Sequence, residues 1–112
     1  MIIILGAILG IQDDNRTAFN QAKQNLLDLD PSTITKLDLM SGVGQDDHKA
    51  LSLKTESTIY SDITYAVIIP GWENDHWAYD DVLACHTKGI KVIELSMSLT
   101  IEGGKEIKPC LI

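Results

Sequence analysis

The residues best suited to chemistry are gathered in one stretch, "IIPGWENDHWAYDD", residues 68 to 81. Trp72, Glu73, Asp75, His76, Trp77, Asp80 and Asp81 follow a Pro70-Gly71 break, where a buried strand gives way to an acidic helix. With about 100° of rotation per residue, Ala78, Val82, Cys85 and Gly89 share the face that must pack on a sheet. Asp80 points nearly opposite, toward solvent. Asp81 falls at the margin of the buried face, in line with Trp77, Ala84 and Lys88. A carboxylate there, near a strand end and a helix start, can face a ligand. The competing reading is that Asp80 and Asp81 only complement the helix dipole. His76 precedes Asp80 by one helical turn, which suits an exposed i,i+4 pair.

Other chemistries find no support in the residue pattern. Gly6-Ala-Ile-Leu-Gly10 lacks the G-x-G-x-x-G spacing of a dinucleotide fingerprint. Gly103-Gly104-Lys105-Glu106 lacks the upstream Gly and the Ser or Thr of a P-loop, and reads as a turn. No G-x-S-x-G nucleophile elbow is present. His48, His76 and His86 have neither the i,i+4 pairing nor the cysteine spacing of a zinc site, so no metal is expected. Cys85 and Cys110 form no C-x-x-C pair, and Cys85 on an apolar helical face reads as a small buried thiol.

The chain is acidic, with 16 Asp and Glu against 9 Lys and Arg and a net charge of −7. Arg16 is its one arginine. Binding to a phosphate backbone or an anionic membrane needs clustered basic residues, so neither nucleic acid nor a membrane is an expected partner. No apolar run reaches the ~20 residues that span a bilayer. The apolar start, Met1 to Leu5 and Ala7 to Ile11, has no basic n-region, and it reads as a first strand rather than a signal peptide. The cytoplasm is the expected compartment.

These residues need a scaffold, and the hydrophobic pattern supplies one. Ile2 to Leu5 is a continuous β-branched run, as in a strand buried on both faces. Asp13 or Asp14 then offers an N-cap for a helix carrying Ala18, Phe19, Ala22, Leu26 and Leu29, which Asp30-Pro31 ends. Residues 34 to 39, "ITKLDL", read as an edge strand, 41 to 44 as loop, and 46 to 61 as a helix with a poor apolar pattern. Tyr65 to Ile69 is a second buried strand. Asn74 or Asp75 caps a helix reaching Lys88, and Gly89 closes it. Lys91 to Leu95 gives another strand, and the tail 97 to 111 a hairpin turning at residues 102 to 105. Strands alternating with helices imply a single α/β domain, residues 1 to 112, with a mainly parallel sheet between two helical layers. Ligands in such sheets bind beyond the carboxyl ends of the strands, here Gly6-Ala7-Ile8, Leu39-Met40-Ser41 and Pro70-Gly71-Trp72.

"SDITYAVIIPGWENDHWAYDDVLAC" resembles the nucleoside 2-deoxyribosyltransferase-like family, including its short bacterial and phage members. Asp62, Pro70, Gly71, Trp72, Glu73 and Ala78 keep step with that family's D-a-v-v-x-L-P-G-W-E-x-S-x-G-A pattern. A second block, "NRTAFNQAKQNL", fits N-x-x-x-F-x-x-A-x-x-x-L through Asn15, Phe19, Ala22 and Leu26. The resemblance implies a flavodoxin-like three-layer sandwich, with a C-terminal β-hairpin here, and a pocket for a nucleoside or nucleotide. In active members a glutamate attacks the anomeric carbon of the sugar; Asp81 falls at its position. Aspartate is one methylene shorter, so its oxygen sits about 1.5 Å short. A misplacement of ~1 Å already lowers rates by about 10²-fold.

Three further departures weaken catalysis. Ile3 stands where the family carries a nucleophile-orienting tyrosine, Trp77 replaces a small residue before Ala78, and Asp75 replaces the serine that meets a 5′-phosphate. The expectation is a protein that binds a nucleoside- or nucleotide-type molecule with turnover weak or lost, as in a sequestering protein. Its ligand-binding residues would be Gly6, Trp72, Glu73, Asp75, Trp77 and Asp81. The alternative is a working N-glycosidic transferase or hydrolase with Asp81 as nucleophile. Neither needs a cofactor. The resemblance implies at least a homodimer, with Trp72 or Trp77 meeting the partner chain, and a host's cytoplasm if the chain is phage-encoded.

Overall fold

The computed structural model describes residues 1 to 8, 12 to 40 and 48 to 108. It is an α/β sandwich around a five-stranded sheet of order β2-β1-β3-β4-β5. The strands are β1 (Ile2–Leu5), β2 (Ile34–Thr35), β3 (Tyr65–Ile68), β4 (Val92–Glu94) and β5 (Lys105–Ile107). The first four run parallel, with Ile3 beside Ile34 and Ala66, and Ala66 beside Val92. β5 returns antiparallel along β4, which makes the C-terminal hairpin. This is the flavodoxin-like order, whose topological switch point lies between β1 and β3.

Side chains alternate across the central strands and divide the core into two layers. Ile3, Leu5, Ala66, Ile68 and Val92 face α2 (His48–Asp62) and α3 (His76–Lys88). Ile2, Ile4, Val67 and Ile69 face α1 (Arg16–Leu26), meeting Phe19, Ala22 and Leu26. Burial on both faces is why β1 and β3 read as unbroken apolar runs.

Several elements differ from the sequence reading, each for a local reason. α1 begins after a 3₁₀ turn, Gln12–Asn15, and Asn15 precedes it in a left-handed conformation (φ 62°) with no side-chain cap bond. The helix ends at Leu26, and Leu29 beyond it is 64% exposed. β2 covers only Ile34–Thr35; Lys36–Met40 coils into a 3₁₀ helix instead of continuing the strand. A reciprocal cap stabilises that turn: Asp38 Oδ2 accepts from Thr35 N at 2.9 Å, while Thr35 Oγ1 accepts from Asp38 N at 3.1 Å. Among the described residues the tail adds one strand, because β4 itself is the hairpin's first arm. The connection between β4 and β5, residues 95 to 104, rejoins β4 closely: a Cβ on Gly104 would collide with the Glu94 carbonyl oxygen. The expected loop at 41 to 44, the start of the helix before His48, and Cys110 lie outside the described residues. No helix among the described residues is long and apolar enough to cross a membrane.

Candidate functional site

β3 ends at Ile68, and Gly71 turns the chain with φ 93°, a left-handed conformation that a Cβ would strain. A 3₁₀ turn, Trp72–Asn74, leads to Asp75, the N-cap of α3. Asp75 Oδ1 accepts from Trp77 N at 2.8 Å, and Oδ2 accepts from Ile8 N, also at 2.8 Å. The carboxylate therefore clasps the segment after β1 to the helix after β3, across the switch point. Asn15 holds the same segment from its other side, donating from Nδ2 to the Ala7 carbonyl at 3.2 Å. At the far end Gly89 (φ 81°) closes α3 as the C′ residue.

One turn into α3, Asp81 is 0% exposed rather than marginal to the buried face. Its Oδ2 lies 2.7 Å from Nζ of Lys36, itself 2% exposed, on the 3₁₀ turn that follows β2. The margin became interior because α2 packs along α3, adding Ile59 to the layer formed by Ala78, Val82 and Cys85. Oδ1 of Asp81 is buried and has no hydrogen-bond partner among the described residues. An unsatisfied carboxylate oxygen in a core is costly and calls for an explanation beyond packing. Burial pushes the Asp81 carboxyl up to about 6 despite the opposing pull of Lys36, and the charges of Glu56 and Asp75 add to the rise. Cys85 is buried, as expected, and its thiol is pushed up to about 12 by burial and then by the charge of Asp81. Such a thiol is inert.

The other expected site residues are dispersed. A Cβ on Gly6 would meet Phe19 at 3.1 Å and Ile69 at 3.2 Å, so this glycine serves the close approach of β1 to α1 and β3. Trp72 is 6% exposed and belongs to the α2 and α3 core layer, with its ring 4.8 Å from that of Tyr79. Its Nε1 is buried and without a partner among the described residues. Trp77 is half-buried and its ring lies 4.6 Å from that of His76. His76 makes this ring contact in place of the expected pair with Asp80. Glu73 is exposed. Asp75 thus sits at the β1 and β3 ends and is close enough to Asp81 to act on its carboxyl, while Trp72 borders the cavity toward β5.

Two cavities flank this arrangement. One, of about 250 Å³, lies beyond the carboxyl ends of β3 and β4, lined by Pro70, Glu94, Leu95, Ser96, Gly104 and Lys105 among others. The second, of about 180 Å³, is apolar and runs between α3 and β5 beside Trp72, Tyr79, Leu83 and Ile107. No group of three or more His, Cys, Asp or Glu side chains is placed to hold a metal ion among the described residues. Lys36 escaped the sequence reading. One signal existed: with period-2 alternation, Ile34 and Lys36 share a face, and Ile34 packs into the α2 and α3 layer. Comparison with family models, curated proteins and solved structures finds no match to this chain.

Proposed function

We propose that this protein binds an uncharged nucleoside-type small molecule at the switch point between β1 and β3, and that it does not turn it over. The observation that carries this reading is the half-satisfied Asp81 carboxylate, with Oδ2 held by Lys36 and Oδ1 without a partner among the described residues. Buried ion pairs contribute little net stability compared with well-packed apolar residues, so this one fits a recognition role better than a structural one. A free carboxylate oxygen is an acceptor for a sugar hydroxyl or a base amine. The same ammonium argues against the glycosidase alternative. A carboxylate neutralised at 2.7 Å is a poor nucleophile.

Asp81 is enclosed, so contact with it couples binding to a local opening of the packing around it, which slows association relative to a preformed site. With Asp75 at the switch point and a net charge of −7, a 5′-phosphate gains no partner. Calorimetry with adenosine, guanosine, cytidine, uridine and their 2′-deoxy and 5′-phosphate forms, coupled to chromatography for released base, tests the reading. Nucleoside binding without free base is expected. Preference for monophosphates, or steady release of base, contradicts it. For assembly we propose a homodimer. Trp72 is too buried to anchor it, whereas Tyr79 (46% exposed) and Leu83 (58% exposed) line an apolar face that suits an interface, and light scattering measures it.

A further inference from the structure

We infer that Lys36 is the positioning residue of this site: its ammonium holds Oδ2 of Asp81 and fixes the carboxylate in its ionised form, so that Asp81 addresses a ligand through Oδ1 alone. The geometry stands by itself; only the consequence for a ligand rests on the function proposed above.

The Lys36 backbone is held before its side chain reaches the core. Thr35 and Asp38 cap each other around it, and Lys23 on α1 donates to Asp38 Oδ2 at 2.9 Å. The ammonium is therefore delivered from a braced turn. The charged groups that act on Asp81 from the elements packed around it are Lys36 on that turn, Glu56 on α2 and Asp75 at the N-cap of α3, while the neighbouring Cys85 thiol stays neutral. Lys36 is the sole cation in this set. Without it, a buried carboxylate would face two like charges and keep its proton at neutral pH. It would then offer an O–H donor where the native protein offers an acceptor.

Lys36 thereby sets what the site selects. With Asp81, Glu56 and Asp75 set against the single charge of Lys36, the surroundings stay net negative and repel a phosphate. The free oxygen of Asp81 favours an O–H or N–H donor. The expected ligand group is a sugar hydroxyl or an exocyclic amine, not a phosphate.

The test is a carbon-13 carboxyl NMR titration of the whole chain and of Lys36→Met and Lys36→Arg, together with adenosine and cytidine calorimetry. In Lys36→Met the Asp81 midpoint should rise by more than one pH unit, and nucleoside affinity at pH 7 should fall at least tenfold. Lys36→Arg should restore both. Should Lys36→Met not fold, Lys36→Gln, which keeps a donor without the charge, carries the same comparison. An Asp81 midpoint unchanged in a folded charge-less variant overturns the inference. A raised midpoint in a protein whose native form binds no nucleoside supports the role of Lys36 and overturns the nucleoside reading alone.

Discussion

Asp75 and Asp81 are two buried carboxylates of one helix, and the structure uses them differently. Both oxygens of Asp75 are committed to backbone N–H groups, of Trp77 and Ile8, so this side chain joins the segment after β1 to the start of α3. Asp81 has one oxygen on Lys36 and the other without a partner among the described residues. A fully satisfied buried polar group is explained by the fold it stabilises; a half-satisfied one is not. The contrast makes Asp75 part of the scaffold and is the ground for the recognition role proposed for Asp81, although the sequence alone had both facing a ligand.

The largest expected effect comes from breaking the pair on one side. Asp81→Ala strands the Lys36 ammonium in the core and should lower stability by about 3–5 kcal/mol in urea unfolding. Exchanging both partners for apolar residues, as in Lys36→Met with Asp81→Leu, should recover most of that loss. A double variant as unstable as the single one would mean the pair is structural, and would erase the distinction from Asp75.

The pH dependence has a definite sign. The Asp81 carboxyl, pushed up to about 6 by burial, binds its proton more tightly in the native chain than in the unfolded one, where aspartate titrates near ~4. Between those values the native state carries more protons, so stability falls as pH rises through that window. Asp38 works the other way: hydrogen bonds from Thr35 and Lys23 outweigh its burial and hold its carboxyl below the usual range. Its contribution is present above the ordinary aspartate value and lost on further acidification. Chemical unfolding from pH 3 to 8 should show the Asp81 slope in the native chain and not in Asp81→Asn.

A smaller loss is expected from Asp75→Ala. Removing an N-cap costs about 1 kcal/mol, and the Ile8 N–H left without its acceptor adds about 1–3 kcal/mol. Amide hydrogen exchange should accelerate at Ile8 and Trp77 while the core strands keep their protection. Loss of protection throughout the sheet would show that the clasp is global rather than local.

Much of the scaffold was legible because its signals are local. The β-branched runs of β1 and β3, the Asp75 cap and the Gly89 stop each depend on residues adjacent in the chain. The site was only half legible. Asp81 was found by its helical position, but its burial comes from α2, whose scattered apolar residues gave no amphipathic face to place. Lys36 lies 45 residues from Asp81 in sequence, so no spacing rule links them. Trp72, at a loop-to-helix junction, read as a contact for a ligand or the partner chain; instead its ring packs against Tyr79 and the core.

The most direct test of the central claim is amide chemical-shift mapping during titration with unphosphorylated nucleosides. The account predicts saturable shifts concentrated at Ile8, Trp77 and Asp81, with smaller changes near Lys36, and none along β5. Shifts confined to the apolar cavity beside Trp72, Leu83 and Ile107, or no saturable shift with any nucleoside, would contradict it.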